Sequence, residues 1–322
     1  MRRVRPPVIA VVIILLLPLL LPNALLTIYI FIGLSTMVVS GLSLLMGFAG
    51  QVSLGQAAFY AIGAYTAGLL AKDLNVPPLL GLLVAPAATA LIAYLVGLPL
   101  LRLRGHYLAF GTLAFHLITL SLIGEFRDLT GGDTGLPAIP PLGIGPVTVD
   151  GPFKPIVFGY LAGGLALLTL LFNYHLVRSR PGRALRALAT SEAGALAAGV
   201  PVGRYKLQVF ALSAAYAGLA GAVYAFYVTY IAPGSFPLVR SIEFLIMATV
   251  GGLGSVWGSA VGAAVVFLVV QVLQNLGTLP GMPPRAPAVF SYAVYGLVLV
   301  SIMLLLPQGV VPLLRARWGR RG

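Results

Sequence analysis

The chain has 322 residues, 59% of them hydrophobic and only 8% charged, with a formal net charge of +13. Soluble domains carry about 25% charged residues, so a water-soluble fold is excluded. Cysteine is absent, which rules out disulfides, thiolate metal sites and a cysteine nucleophile.

Ten apolar segments approach or exceed the roughly 20 residues a helix needs to span a bilayer. They lie at about 8–22, 26–46, 57–71, 79–101, 107–123, 156–177, 206–231, 242–256, 258–276 and 289–306. They do not alternate as barrel strands would, and lipid obliges each segment to satisfy its own backbone. The expected fold is therefore an all-α polytopic membrane protein of about ten transmembrane helices. One domain covers 1–322, with the membrane bundle at 8–306. The first segment is short and contains Pro18. A cleaved signal peptide over 1–24 is the alternative, but Leu21-Pro22-Asn23 lacks a small-x-small cleavage site.

Ten spans put both termini on one side. Fifteen Lys and Arg residues fall on that side and five on the other, whereas most acids take the opposite course. By the positive-inside rule both termini are cytoplasmic, including a basic tail at 307–322. The excess of positive charge thus reports topology and gives no sign of nucleic acid.

Gly47, Gly50 and Gly55 surround Gln51, Ser53 and Gln56. A polar, glycine-broken stretch at membrane depth is tolerated where it is buried in protein or lines water, so it is either ordinary packing or part of a solute path. Gly251, Gly252 and Gly254 form a second such block. Small residues every four positions, at Ser213, Ala217 and Gly221 and at Gly254, Gly258 and Gly262, predict close helix contacts. The loop at 124–155 is rich in Gly and Pro. It reads as a compact outer loop with a short hairpin, either a plain connector or a docking surface. Glu243, three residues after Arg240 near the outer end of a span, predicts a neutralised pair. His106, His116 and His175 are scattered and make no metal site.

The segment 179–203 is the one long polar, basic stretch. Leu185, Leu188, Ala189, Ala193 and Leu196 fall on one face of a helix over 183–199, with Arg183 and Arg186 off it. Gly199 and Pro201 end it. An interfacial helix among anionic headgroups is one reading. A lever between two spans, pushed by a cytoplasmic partner, is the other, favoured because alanine would anchor weakly in lipid.

Glu192-Ala193 followed by Gly199 and a new span resembles the coupling segment of ABC importer permeases. The stretches at 41–71, 101–115, 129–136, 179–225 and 241–264 together resemble the LivM-type permeases of branched-chain amino acid importers. His106, His116 and residues 189–191 depart from that pattern. The resemblance implies an ABC importer permease architecture in a bacterial or archaeal plasma membrane. It also implies a second homologous permease chain, two ATP-binding subunits and an extracytoplasmic solute-binding protein, with Arg183, Arg186, Glu192 and Gly199 coupling to the ATPases. The implied substrates are branched-chain amino acids, with urea and short amides as alternatives. The chain lacks a phosphate-binding loop and any nucleophile–base constellation. No enzymatic activity and no cofactor are expected. An ion-driven secondary transporter is the contrasting class, and it would call for ionisable groups deep in the bundle.

Overall fold

The computed structural model describes residues 17–103, 105–144 and 147–277, together with positions 14, 289, 293, 296 and 297. The expected span 289–306, the tail 307–322, most of the span 8–22, Arg104 and both termini lie outside these residues, apart from the isolated positions named.

Helices dominate. They are α1 (Asn23–Ala49), α2 (Gln56–Lys72), α3 (Pro78–Leu100), α4 (His106–Glu125), the short α5 (Arg127–Thr130), α6 (Lys154–Arg178), α7 (Arg180–Thr190), α8 (Glu192–Ala197), α9 (Val202–Val228), α10 (Leu238–Gly251) and α11 (Gly258–Gly277). The 124–155 loop carries a two-stranded hairpin, β1 (Gly143–Ile144) against antiparallel β2 (Val147–Thr148).

Among the described residues six helical segments are long and apolar enough to cross a membrane, against the ten expected. Part of the difference has a physical cause. Helix α2 has 17 residues, or about 26 Å at ~1.5 Å per residue, less than the ~30 Å of hydrocarbon. It is short because it starts inside the bundle. The Leu54 N–H donates to Thr112 Oγ1 at 2.9 Å and the Ala57 N–H to Ser241 Oγ at 3.0 Å. Thr112 stands about 9 Å along α4 from His106, at ~1.5 Å per residue. Residues 50–55 therefore sink into the bundle from one end.

The connection at 229–237 sinks from the other end. His116 Nε2 lies 3.0 Å from the Phe236 carbonyl, about 15 Å into α4 at ~1.5 Å per residue. Helix α10 begins just beyond, level with the middle of α4. The 124–155 loop follows this connection inward. Leu136 and Ile231 exchange backbone hydrogen bonds of 2.7 and 3.2 Å, and Leu136, Ile139 and Leu142 are buried.

Helices α1 and α9 form the interior and are mostly buried, whereas most of α3 and α4 is not. α9 packs on α1, α2 and α3; α1 also packs on α6, and α10 on α11. Lipid tails are as apolar as leucine, so close van der Waals contact rather than water exclusion holds such helices together. A methyl group at Gly63 would overlap the Gly218 backbone, and one at Gly221 the Tyr60 carbonyl. The stripe Ser213, Ala217, Gly221 is buried, as its spacing predicts. The second stripe is corrected. α10 stops at Gly251 rather than near 256, so Gly254 lies in a turn, while Gly258 and Gly262 press on Gly251 and Met247.

Candidate functional site

Gln51, Ser53, Gly55 and Gln56 are all buried. Gly50 closes α1 in the left-handed conformation, φ +65°, and the Gln51 N–H returns to the Leu45 carbonyl at 3.1 Å. Gln56 Nε2 donates to Ser213 Oγ at 3.1 Å. Gln56 Oε1 and both side-chain polar atoms of Gln51 have no hydrogen-bond partner among the described residues. Buried amides left open in this way are costly unless something polar reaches them.

His116 ties the two sunken stretches together. Ser241 Oγ accepts from the Ala57 N–H, a donor with no partner inside its own helix. It can then give its own proton to His116 Nδ1, 3.1 Å away. The other ring nitrogen faces a carbonyl, which only accepts. A histidine protonated on Nε2 alone satisfies every partner in this chain. His116→Leu should therefore strip two partners at once and lower stability by roughly 1–3 kcal/mol. The expected reading is a lower melting temperature in detergent, with no such drop for the exposed His106→Leu.

At the end of the bundle where α6 passes into α7, the two glycine blocks meet. Gly47 lies against the Gly254 backbone so closely that a methyl group would overlap it. Gly252 and Gly254 hold φ of +96° and +82°. Trp257 of this turn packs near Tyr174, which carries the Arg178 guanidinium 3.9 Å over its ring.

The 183–199 segment is two helices, not one. Ser191 is extended, and its hydroxyl accepts from the Gly194 N–H at 3.1 Å, capping α8. Ser179 caps α7 in the same way, through Gly182. The break turns α8 relative to the expected face. Leu185, Leu188 and Ala195 are buried, whereas Ala189 and Ala193 are not on the buried side and Leu196 is 57% exposed. Leu185 joins the main core beneath α1, while Leu188 and Ala195 pack with Val202 in a small separate cluster. Arg183 and Arg186 are exposed, and Arg186 donates to the Val177 carbonyl at 3.0 Å. Glu192 reaches Lys206 at 2.8 Å, which straps α8 to the first turns of α9. Gly199 has φ +77° and lets the chain turn into α9.

Arg240 and Glu243 pair at 2.8 Å in the opening turns of α10. The neutralised pair expected near the start of this span is present, and because Ser241 between its members reaches His116, those first turns of α10 lie level with the middle of α4. It faces a cavity of about 180 Å³ walled by Phe31, Met247, Phe267, Val270 and Gln271.

Residues 24–303 match the family described as branched-chain amino acid transport system / permease component. The chain belongs to this permease family. It is 31% identical to the high-affinity branched-chain amino acid transport system permease protein LivM of Salmonella typhimurium strain LT2, over 89% of this chain and 68% of that one. The LivM protein of Escherichia coli strain K12 is also 31% identical, with the same coverage. A probable LivM protein of Methanocaldococcus jannaschii is 27% identical over 72% of this chain and 68% of its own length. No solved structure matches. The permease is thus a multi-pass membrane protein and a transport subunit rather than an enzyme.

Within this permease, sequence reasoning missed Gly182, Ser241 and Lys206. Gly182 lies against the carbonyls of Leu176 and Val177 so closely that a methyl would overlap both. Its position directly after Pro181 at the start of a polar helix was the available signal. Ser241 and Lys206 carry no local signature; only the tertiary contacts reveal them. Asn173 is a further case. It donates to the Ser40 carbonyl at 3.1 Å and accepts from Tyr216 at 2.9 Å, joining α6, α1 and α9.

Proposed function

We propose that this permease is the translocation subunit of an ATP-driven importer for branched-chain amino acids in a bacterial or archaeal plasma membrane. The observation that carries the reading is the exposed helix pair α7–α8, held between two membrane helices and packed beneath α1. Two ATP-binding subunits would press on its open face at Arg183, Arg186 and the outward alanines. A second related permease chain would complete the passage, and an extracytoplasmic binding protein would deliver solute to the opposite end, where the 124–155 loop lies. The end bearing α7 and α8 would be cytoplasmic, consistent with its load of arginines.

The parts give a mechanical route. Closure of the ATPases would displace α7 and α8 together. α7 would pass that motion to α1, and Gly47 near the end of α1 would carry it to the Gly252–Gly254 turn. Glu192 acts in this scheme as a strut through Lys206 and not as a direct contact. Glu192→Ala and Lys206→Ala are both expected to cut ATP-driven leucine uptake in proteoliposomes about fivefold or more and to weaken capture of the ATPases. Protein stability should move by less than about 1 kcal/mol, because the pair is partly exposed. Unchanged uptake and capture in both variants would remove the lever. Uptake of urea but not leucine by the wild type would move the substrate to the amide class. Uptake that survives ATP removal and collapses with a protonophore would replace the ATP-driven reading altogether.

A further inference from the structure

The Arg240–Glu243 ion pair lies level with the middle of the membrane-spanning helix α4. Charges at that depth are costly, and they recur where a polar solute or ion must pass. Arg240 and Glu243 stand together on one wall of a cavity that is lined, among the described residues, by Phe31, Met247, Phe267, Val270 and Gln271 as well. Phe31 and Phe267 stack nearly parallel, at 16° and 6.1 Å between ring centroids. A second, smaller cavity shares Phe31, Arg240 and Phe267, so the recess continues past Arg240 toward Tyr60 and Tyr224.

We infer that this recess is a binding station for the transported solute, and that it recognises a zwitterionic α-amino acid with an aliphatic side chain. The inference rests on the importer reading above and deepens it. The fit is chemical. The Arg240 guanidinium offers paired donors to a carboxylate, and the Glu243 carboxylate accepts from an ammonium group. The 2.8 Å bond between them would open to admit the solute, exchanging one ion pair for two. The aromatic rings, Met247 and Val270 would take the hydrocarbon side chain. A zwitterion entering a low-dielectric recess needs both of its charges met, and the pair meets both. Urea and short amides carry no net charges to meet and would leave the pair intact. Glu243 is 8% exposed, so its carboxylate lies within the protein, not in lipid.

The absence of cysteine from the chain provides a direct probe. Gln271→Cys places a single thiol on the cavity wall of the full transporter, assembled with its ATPases and binding protein in proteoliposomes. The rate of maleimide labelling of this chain is read by mass spectrometry. Leucine is expected to slow labelling at least threefold, and urea to leave it unchanged. Adding Arg240→Met or Glu243→Gln should abolish the protection. In the cysteine-free background the same two changes should cut leucine uptake at least tenfold, with a raised KM. The charge exchange Arg240→Glu with Glu243→Arg should restore assembly of the complex but not uptake, because the solute's side chain would then point away from the apolar walls.

Two results overturn the inference while leaving the importer reading in place. One is wild-type leucine uptake with no leucine protection of the thiol introduced by Gln271→Cys. The other is full recovery of uptake by the charge exchange, which would make the pair a structural or chain–chain contact. A wild-type transporter that carries no amino acid removes the importer reading itself, and is recognised before any variant is made.

Discussion

Gly182→Ala is expected to reduce ATP-driven uptake at least tenfold while the protein still inserts and folds. The added methyl would overlap the carbonyls of Leu176 and Val177 at the junction of α6 and α7. Those atoms are backbone, so no side chain can swing aside. Overpacking of this kind costs roughly 1–3 kcal/mol, and the least costly relief is to tilt α7 away from α6. That tilt would withdraw Leu185 from beneath α1 and break the route by which a partner's push enters the bundle. Gly203→Ala is the matched control, since a methyl there meets nothing within 4 Å. Uptake, ATPase capture and detergent melting temperature, measured on both variants, separate the outcomes. Normal uptake in Gly182→Ala would show that the α6–α7 junction tolerates movement and is not part of the drive.

Gly221→Leu should act on the fold itself. Gly221 faces the Tyr60 carbonyl, and Gly63 on the same interface faces Gly218. A leucine would force α2 and α9 apart along the most buried helix of the bundle. With close contact as the main adhesive in lipid, the loss should exceed the ~1–3 kcal/mol typical of one overpacked core position. The expected result is little or no folded protein recovered in detergent. Gly164→Leu, where a methyl meets nothing within 4 Å, should yield normal amounts. Recovery of folded Gly221→Leu protein at wild-type levels would mean that the α2–α9 contact is less tight than its geometry implies.

Much of this bundle is legible in its apolar runs, and the reasons for what is not are local. Helices α1, α3, α4, α6 and α9 are long, continuous and apolar, and their limits agree with the runs to within a few residues. The Gly-rich stretch around Gln51 and Gln56 announces a break. Its depth does not show in the sequence, because depth depends on Thr112 and Ser241, which lie 58 and 184 residues from their partners. The same holds for the Arg240–Glu243 pair. Hydropathy starts that span at 242, which puts the pair at its edge, and only the contact of Ser241 with His116 sets it level with the middle of α4. The split between α7 and α8 was readable in principle. Ser191 before Glu192 is a helix start signal, but an alanine-rich pattern runs through it and hides the restart.

The two stretches of non-helical chain enter from opposite faces and stop about one helical turn apart along α4, at Thr112 and His116. A turn is ~5.4 Å, so two breaks in regular helix lie almost level with one another. Both are buried in protein, with Thr112, His116 and Ser241 between them. A small shift of α4 along its axis would therefore disturb both breaks at once.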